Sequence, residues 1–204
     1  MTFIALLRAI NLGSHKPIAM SALRDFVADL SFTDARTLLQ TGNVVFRGEA
    51  QSAGKLEHLL EMEAKAHLGL DTDFFVRSAK DWKALVSRNP FPDEARRDPS
   101  HLVVMFLKDA PDAKSLATLR AAIKGPEIVD VAEKQACIIY PVGIGRSRLT
   151  HALIETKLGT RGTSRNWNTV LKLAALAAEM ARTEGTVVTE WLKYSVQCLW
   201  TLLF

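Results

Sequence analysis

Two groups of polar side chains are spaced so that they could hold a ligand. The first is Arg8, Asn11, Gln40 and Asn43, which flank two short apolar runs near the N-terminus. They offer hydrogen-bond donors and amides and include no carboxylate, which suits an oxyanion or an amide-rich ligand. Asn11, Gln40 and Asn43 are equally the residues that bond to turn backbone. An arginine among apolar strand residues needs a partner if it is buried. Lys16, beside His15, adds a cation in the loop after the first run. The second group is Arg161, Arg165, Asn166, Trp167 and Asn168, with Thr163, Ser164 and Thr169 between and after them. It reads as a polar loop running straight into a helix, whose first free N–H groups attract anions. Two arginines would add forked contacts. Ser, Thr and Asn there also make an ordinary helix cap, and Trp167 is either a stacking platform or a core anchor.

Other chemistries find less support. Cys137 lies in an apolar run and reads as inert core. Cys137 and Cys198 form no CxxC pair, and the five histidines show no metal-ligand spacing, so neither a metal site nor a cofactor is expected. There is no GxSxG, P-loop or GxGxxG. His15 and His151 are lone acid–base candidates, and no nucleophile stands out.

The elements that must carry these residues follow from periodicity. Phe3–Ile10 is a buried strand, and a helix with Met20, Leu23, Phe26, Val27 and Leu30 follows, with Ser21 as its cap. Strands over 35–40 and 43–47 meet at a tight Thr41–Gly42 hairpin. A helix through Leu56–Leu68 stops at Gly69, and 72–77 is a strand. The order β-α-β-β-α-β is the ferredoxin-like split unit. In such a sheet the first and third strands are antiparallel neighbours, so Arg8, Asn11, Gln40 and Asn43 should share one end. A short helix over 80–88 and a polar linker to Pro99 come next. The order then repeats: strand 101–107, helix 113–123, strands 127–132 and 136–141, and a helix stopped by Gly159, with no clear last strand. A final helix runs from about Trp167 to Arg182. The expected fold is α+β: two ferredoxin-like halves with antiparallel sheets, the second incomplete and followed by extra C-terminal helices. The expected division is residues 1–78, a helix and linker over 79–100, a second half over 101–182, and an apolar tail over 183–204.

The chain has 204 residues, 48% hydrophobic and 24% charged, which excludes extended disorder. Its net charge of +4 is uneven. Residues 134–172 hold seven bases against Glu155 alone, while the rest has 19 bases and 21 acids. That segment is either a solvated basic face or a site for phosphate or carboxylate. The N-terminus lacks a signal-peptide pattern, which points to the cytoplasm. Residues 187–204 are apolar but carry Glu190 and Lys193, a poor membrane span and a better packing helix, whether against the body or in a homodimer.

Four stretches, Ala5–Gly13, Leu39–Phe46, Val76–Ser78 with Asn89–Phe91, and Leu158–Val170, resemble in order and spacing the domain of unknown function 1697 family of bacterial proteins. The resemblance spans roughly residues 3–181 and implies an α+β fold of two ferredoxin-like halves, with no assigned reaction. Ala9 and Ser14 stand where the family usually has glycine, so the first loop is less suited to cradling a phosphate. Three functions follow as expectations: binding of an anionic small molecule or nucleotide between the halves, nucleic-acid binding through 134–172, or transfer or hydrolysis on a phosphorylated or acyl substrate. The third strand lacks the aromatic pair of RNA-recognition modules, which weighs against nucleic acid.

Overall fold

The computed structural model describes residues 1–8 and 18–182. Asn11, His15 and Lys16 of the first loop and the tail over 183–204 therefore lie outside the described residues. The first half comprises β1 (Thr2–Leu7), α1 (Met20–Asp29), β2 (Thr33–Thr37), β3 (Asn43–Arg47), α2 (Ala53–Leu68) and β4 (Phe74–Ser78). After α3 (Ala79–Ser87) and α4 (Pro92–Arg97), the second half repeats the order: β5 (Leu102–Leu107), α5 (Ala113–Ala122), β6 (Ile128–Ala132), β7 (Gln135–Ile139), α6 (His151–Leu158) and β8 (Gly162–Asn166). Helix α7 occupies 167–182. The sheets run β2-β3-β1-β4 and β6-β7-β5-β8, all antiparallel, in the ferredoxin-like order.

The fold class is as expected, with four differences in detail. Strand β2 is Thr33–Thr37 and not 35–40, so residues 38–42, and not Thr41–Gly42 alone, form the turn to β3. The second half is complete, because residues expected to form a loop before the last helix form β8, paired to β5 from Val103↔Asn166 to Leu107↔Gly162. The linker contains α4, begun by Pro92 at a first-turn position where its missing N–H costs no bond. Helix α1 starts at Met20 after Ala19, so Ser21 lies inside it and no side chain caps it.

Strand alternation creates three cores. Phe3, Ala5 and Leu7 face α1 and α2 with Leu23, Phe26, Leu56 and Leu60. Val103, Met105 and Leu107 face α5 and α6 with Leu119, Ile154 and Leu158. The opposite faces, Ile4, Leu6 and Phe75 of one sheet and Val104, Phe106 and Ile139 of the other, share one core with Trp82 of α3 and Trp167, Val170, Leu173 and Met180 of α7. The junction between the halves is thus largely closed by apolar packing, whose burial stabilises about 25 cal/mol per Å². Trp82 stacks on Phe106 at 4.8 Å and donates its indole N–H to the Val170 carbonyl at 3.0 Å, tying α3, β5 and α7 together.

Candidate functional site: the two crossings between the halves

The halves exchange equivalent contacts, as the two subunits of a two-fold dimer do. Arg77 is the fourth residue of β4, and Arg165 is the fourth of β8. Each opposes the third residue of its central strand, Ile4 or Val104. Each reaches into the other half. Arg77 Nη2 donates to the carbonyls of Leu107, at the end of β5, and Lys134, in the β6–β7 turn, at 2.8 and 3.1 Å. Arg165 Nη2 donates to Leu7, at the end of β1, and Thr41, in the β2–β3 turn, at 3.1 and 3.0 Å. Each Nη1 donates to its own preceding carbonyl, Val76 at 2.7 Å or Ser164 at 2.8 Å.

The residues after β1 and β5 exchange in the same way. Lys108 ion-pairs with Glu57 of α2 at 3.2 Å and with Glu61. Arg8 holds both oxygens of Glu155 of α6, at 2.9 and 2.8 Å, with Asp73 3.5 Å away. Glu57 and Glu155 are each the fifth residue of their helix, and each also accepts from a backbone N–H of the outer strand, Val76 or Gly162, at 2.8 Å. Arg161 pairs with Asp73 at 2.8 Å. Helices α2 and α6 are set alike, each capped by a hydroxyl, Ser52 or Thr150, and each ended by a glycine in left-handed conformation, Gly69 (φ 62°) or Gly159 (φ 67°).

The crossings differ in charge. Arg77 has a carboxylate, Glu57 Oε1, at 3.3 Å, and both side chains are buried. Arg165 has none. Its five N–H groups go to Asn43 Oδ1 (2.6 Å), Thr163 Oγ1 (2.9 Å) and the carbonyls of Ser164, Leu7 and Thr41, all neutral. Loss of hydration pushes its pKa down to about 10, and burial lowers that of Arg77 as well, opposed by Glu57. Of the five bonds, the one to Thr41 is exposed. His151 opens α6 beside this crossing. Lost hydration holds it below the ordinary histidine pKa; Glu155 opposes that shift, and Arg8 and Arg165 add to it.

Several sequence expectations take a different form here. The first polar set does have carboxylates, Glu155 and Asp73, because the second half supplies one and the start of β4 the other. Asn43 is buried in turn bonding, with Nδ2 on Leu38 O and Thr41 Oγ1, both at 2.8 Å, and its oxygen on Arg165. Gln40 is exposed in the same turn. Asn166 caps α7, accepting from Thr169 N at 3.0 Å and from its hydroxyl at 2.9 Å. Trp167 is buried core, and Asn168 is exposed on the first turn of α7. Arg165 binds the carbonyl immediately before Arg8, while the Arg8 side chain is directed to Glu155 and Asp73. The basic segment is not one face: Arg165 is turned inward, Arg161 is paired, Lys134 stands at the other crossing, and Arg146 and Arg148 are exposed. Cys137 is buried, its thiol pushed up to about 12 mainly by lost hydration.

Glu57, Asp73, Arg77, Lys108 and Glu155 were not candidates from sequence. One signal was present: Arg77-Ser78 and Arg165-Asn166 each precede a helix, with a second capping partner three residues on at Asp81 and Thr169. Around Arg77 a cavity of about 490 Å³ opens between the halves, lined by Gly54, Lys80, Arg88, Asp130, Glu133 and Lys134 among others. It is of small-molecule size. Among the described residues no three His, Cys, Asp or Glu side chains are grouped to hold a metal ion, and no helix is long and apolar enough to cross a membrane.

This is an α+β protein of two reciprocal ferredoxin-like halves. The chain belongs to the family of proteins of unknown function DUF1697, whose model matches residues 1–136. The match runs from β1 into β7, so Arg161 to Asn168 lie beyond it. Its fold is similar to that of the conserved bacterial protein SP0830 from Streptococcus pneumoniae, with a TM-score of 0.68 and 19% identity over 86% of this chain and 98% of that one. No curated protein matches the sequence.

Proposed function

We propose that the protein binds a small anion, a phosphorylated or carboxylated metabolite, at the Arg165 crossing between residues 1–78 and 101–182. One observation carries this reading: Arg165 is a half-buried guanidinium with no carboxylate among its five acceptors, where its counterpart Arg77 has Glu57. A cation removed from water without a counter-charge is unfavourable, and an incoming anion supplies the missing charge. Arg8 and His151 are the neighbouring groups that shape the local field. With Trp167 in the core, a nucleobase has no stacking platform from that residue, which favours a compact oxyanion over a nucleotide.

Calorimetry and thermal shift with inorganic phosphate, small phosphate monoesters, dicarboxylates and nucleotides test this. Saturable binding of one compact anion class is expected, abolished in Arg165→Gln. Because Arg165 also joins the halves, Gln40→Glu is the second variant. It adds a repelling charge at an exposed turn position without touching the Arg165 bonds between the halves, and is expected to weaken binding at least tenfold. No binding across the panel, or binding unaltered in both variants, overturns the reading.

A further inference from the structure

The two crossings also differ in what closes them. At Arg77 the accepting carbonyl of Lys134 takes two bonds, one from Arg77 and one from the Leu107 N–H of the strand ladder at 2.8 Å. That carbonyl is fixed by the sheet. At Arg165 the same two bonds are divided between two carbonyls. The ladder bond from the Leu7 N–H goes to Gly42, at 2.8 Å, and Arg165 takes Thr41 alone. The turn there is longer as well: residues 38–42 separate β2 from β3, whereas only 133 and 134 separate β6 from β7. Each turn holds one non-glycine residue with a left-handed backbone, Leu39 (φ 60°) and Glu133 (φ 53°), so the turns differ in length and in how their carbonyls are bonded; the Leu39 side chain is 48% exposed. A non-glycine residue at that φ is strained, and its exposed side chain gains little burial to offset the strain.

We propose that the tip of the β2–β3 turn, residues 39–41, is a lid over Arg165 that a bound oxyanion displaces. The proposal rests on the anion reading of this crossing. In the closed state Thr41 O occupies the exposed donor of Arg165 Nη2. The anion takes that donor, Thr41 O turns to water, and Leu39 is released from its left-handed conformation. Gly42 stays on the Leu7 ladder bond and Leu38 stays bonded to Asn43 through both its N–H and its carbonyl, so motion is confined to the three residues between them. The β6–β7 turn cannot respond in this way, because releasing Lys134 O would also break the ladder. Binding is therefore coupled to opening of one turn and not of its counterpart.

The test places a trifluoromethyl label on Leu39→Cys in a Cys198→Ser background of the full chain, with a second protein labelled at Glu133→Cys. Both positions are exposed, and Cys137 is buried. Phosphate is titrated, followed by 19F resonance and in parallel by calorimetry. The expected result is a new resonance at position 39 that saturates with the calorimetric Kd, with position 133 unmoved. If calorimetry registers phosphate while position 39 does not move, or both labels move alike, the lid is wrong and the anion reading stands. If neither phosphate, phosphate monoesters nor dicarboxylates bind in calorimetry, both fail together.

Discussion

Arg77 and Arg165 do the same mechanical work with opposite electrostatics. Each crosses from the last strand of one half to the end of the first strand and the hairpin turn of the other. Arg77 is neutralised by Glu57, which Lys108 also holds. Arg165 stands without a carboxylate, because Glu155, the counterpart of Glu57, is turned to Arg8. The repeated scaffold thus carries one closed ionic site and one left with a net positive charge. Where a duplicated frame departs from its own repeat, the departure marks a candidate for function.

The largest expected effect separates the two crossings by stability. Arg77→Ala leaves Glu57 buried with Lys108 as its remaining cation and strips a donor from three carbonyls, so urea denaturation should show a loss of about 3–5 kcal/mol. Arg165→Ala removes a charge that had no carboxylate partner and leaves only neutral acceptors, so the loss should be smaller, about 1–3 kcal/mol. Equal losses would break the comparison.

The second cation pair should follow in the same order. Lys108→Met deprives Glu57 and Glu61 of a nearly buried partner and is expected to cost about 1–2 kcal/mol. The Arg8 side chain is 35% exposed, so screening reduces Arg8→Met to about 0.5–1 kcal/mol despite the forked pair. Matched denaturation curves read both. The helix caps should not distinguish the halves: Ser52→Ala and Thr150→Ala each remove one hydroxyl acceptor and should each cost about 1 kcal/mol.

The smallest effect is a pH slope. His151 has a lowered folded pKa, so the unfolded chain binds the proton more readily. Its contribution is therefore constant above the unfolded value near 6.5 and is lost as pH falls through the folded pKa. Stability measured from pH 7.5 to 5 should decline less steeply in His151→Gln than in the parent. An identical slope would remove His151 from the electrostatics of this crossing.

Much of the scaffold was legible in the sequence because it rests on local rules. Short continuous apolar runs marked β3 and β5, glycines at 69 and 159 ended α2 and α6, and the repeated element order indicated two halves. Strand β8 was hidden because Gly-Thr-Ser-Arg-Asn has the composition of a loop. It is a strand because β5 offers it an edge, and its first residue lies close to that edge: a Cβ at Gly162 would come within 3.0 Å of the Phe106 carbonyl. The charged exchange was hidden for a different reason. Glu155 and Arg8 are 147 residues apart, and Arg165 and Leu7 are 158 apart. No periodicity links such positions, and the element order alone does not say that the sheets share a face. Arg8 and Arg165 were recognisable as residues in need of partners, but which partners each found was settled by packing.

The central claim is that the two crossings differ in their appetite for an anion. Side-chain 15N–1H spectra of the arginine Nε–H groups, recorded on the full chain during a phosphate titration, address it most directly. The account predicts that the Arg165 Nε–H resonance shifts and saturates while that of Arg77 stays in place. Resonances that both stay in place, or that move together, would contradict it.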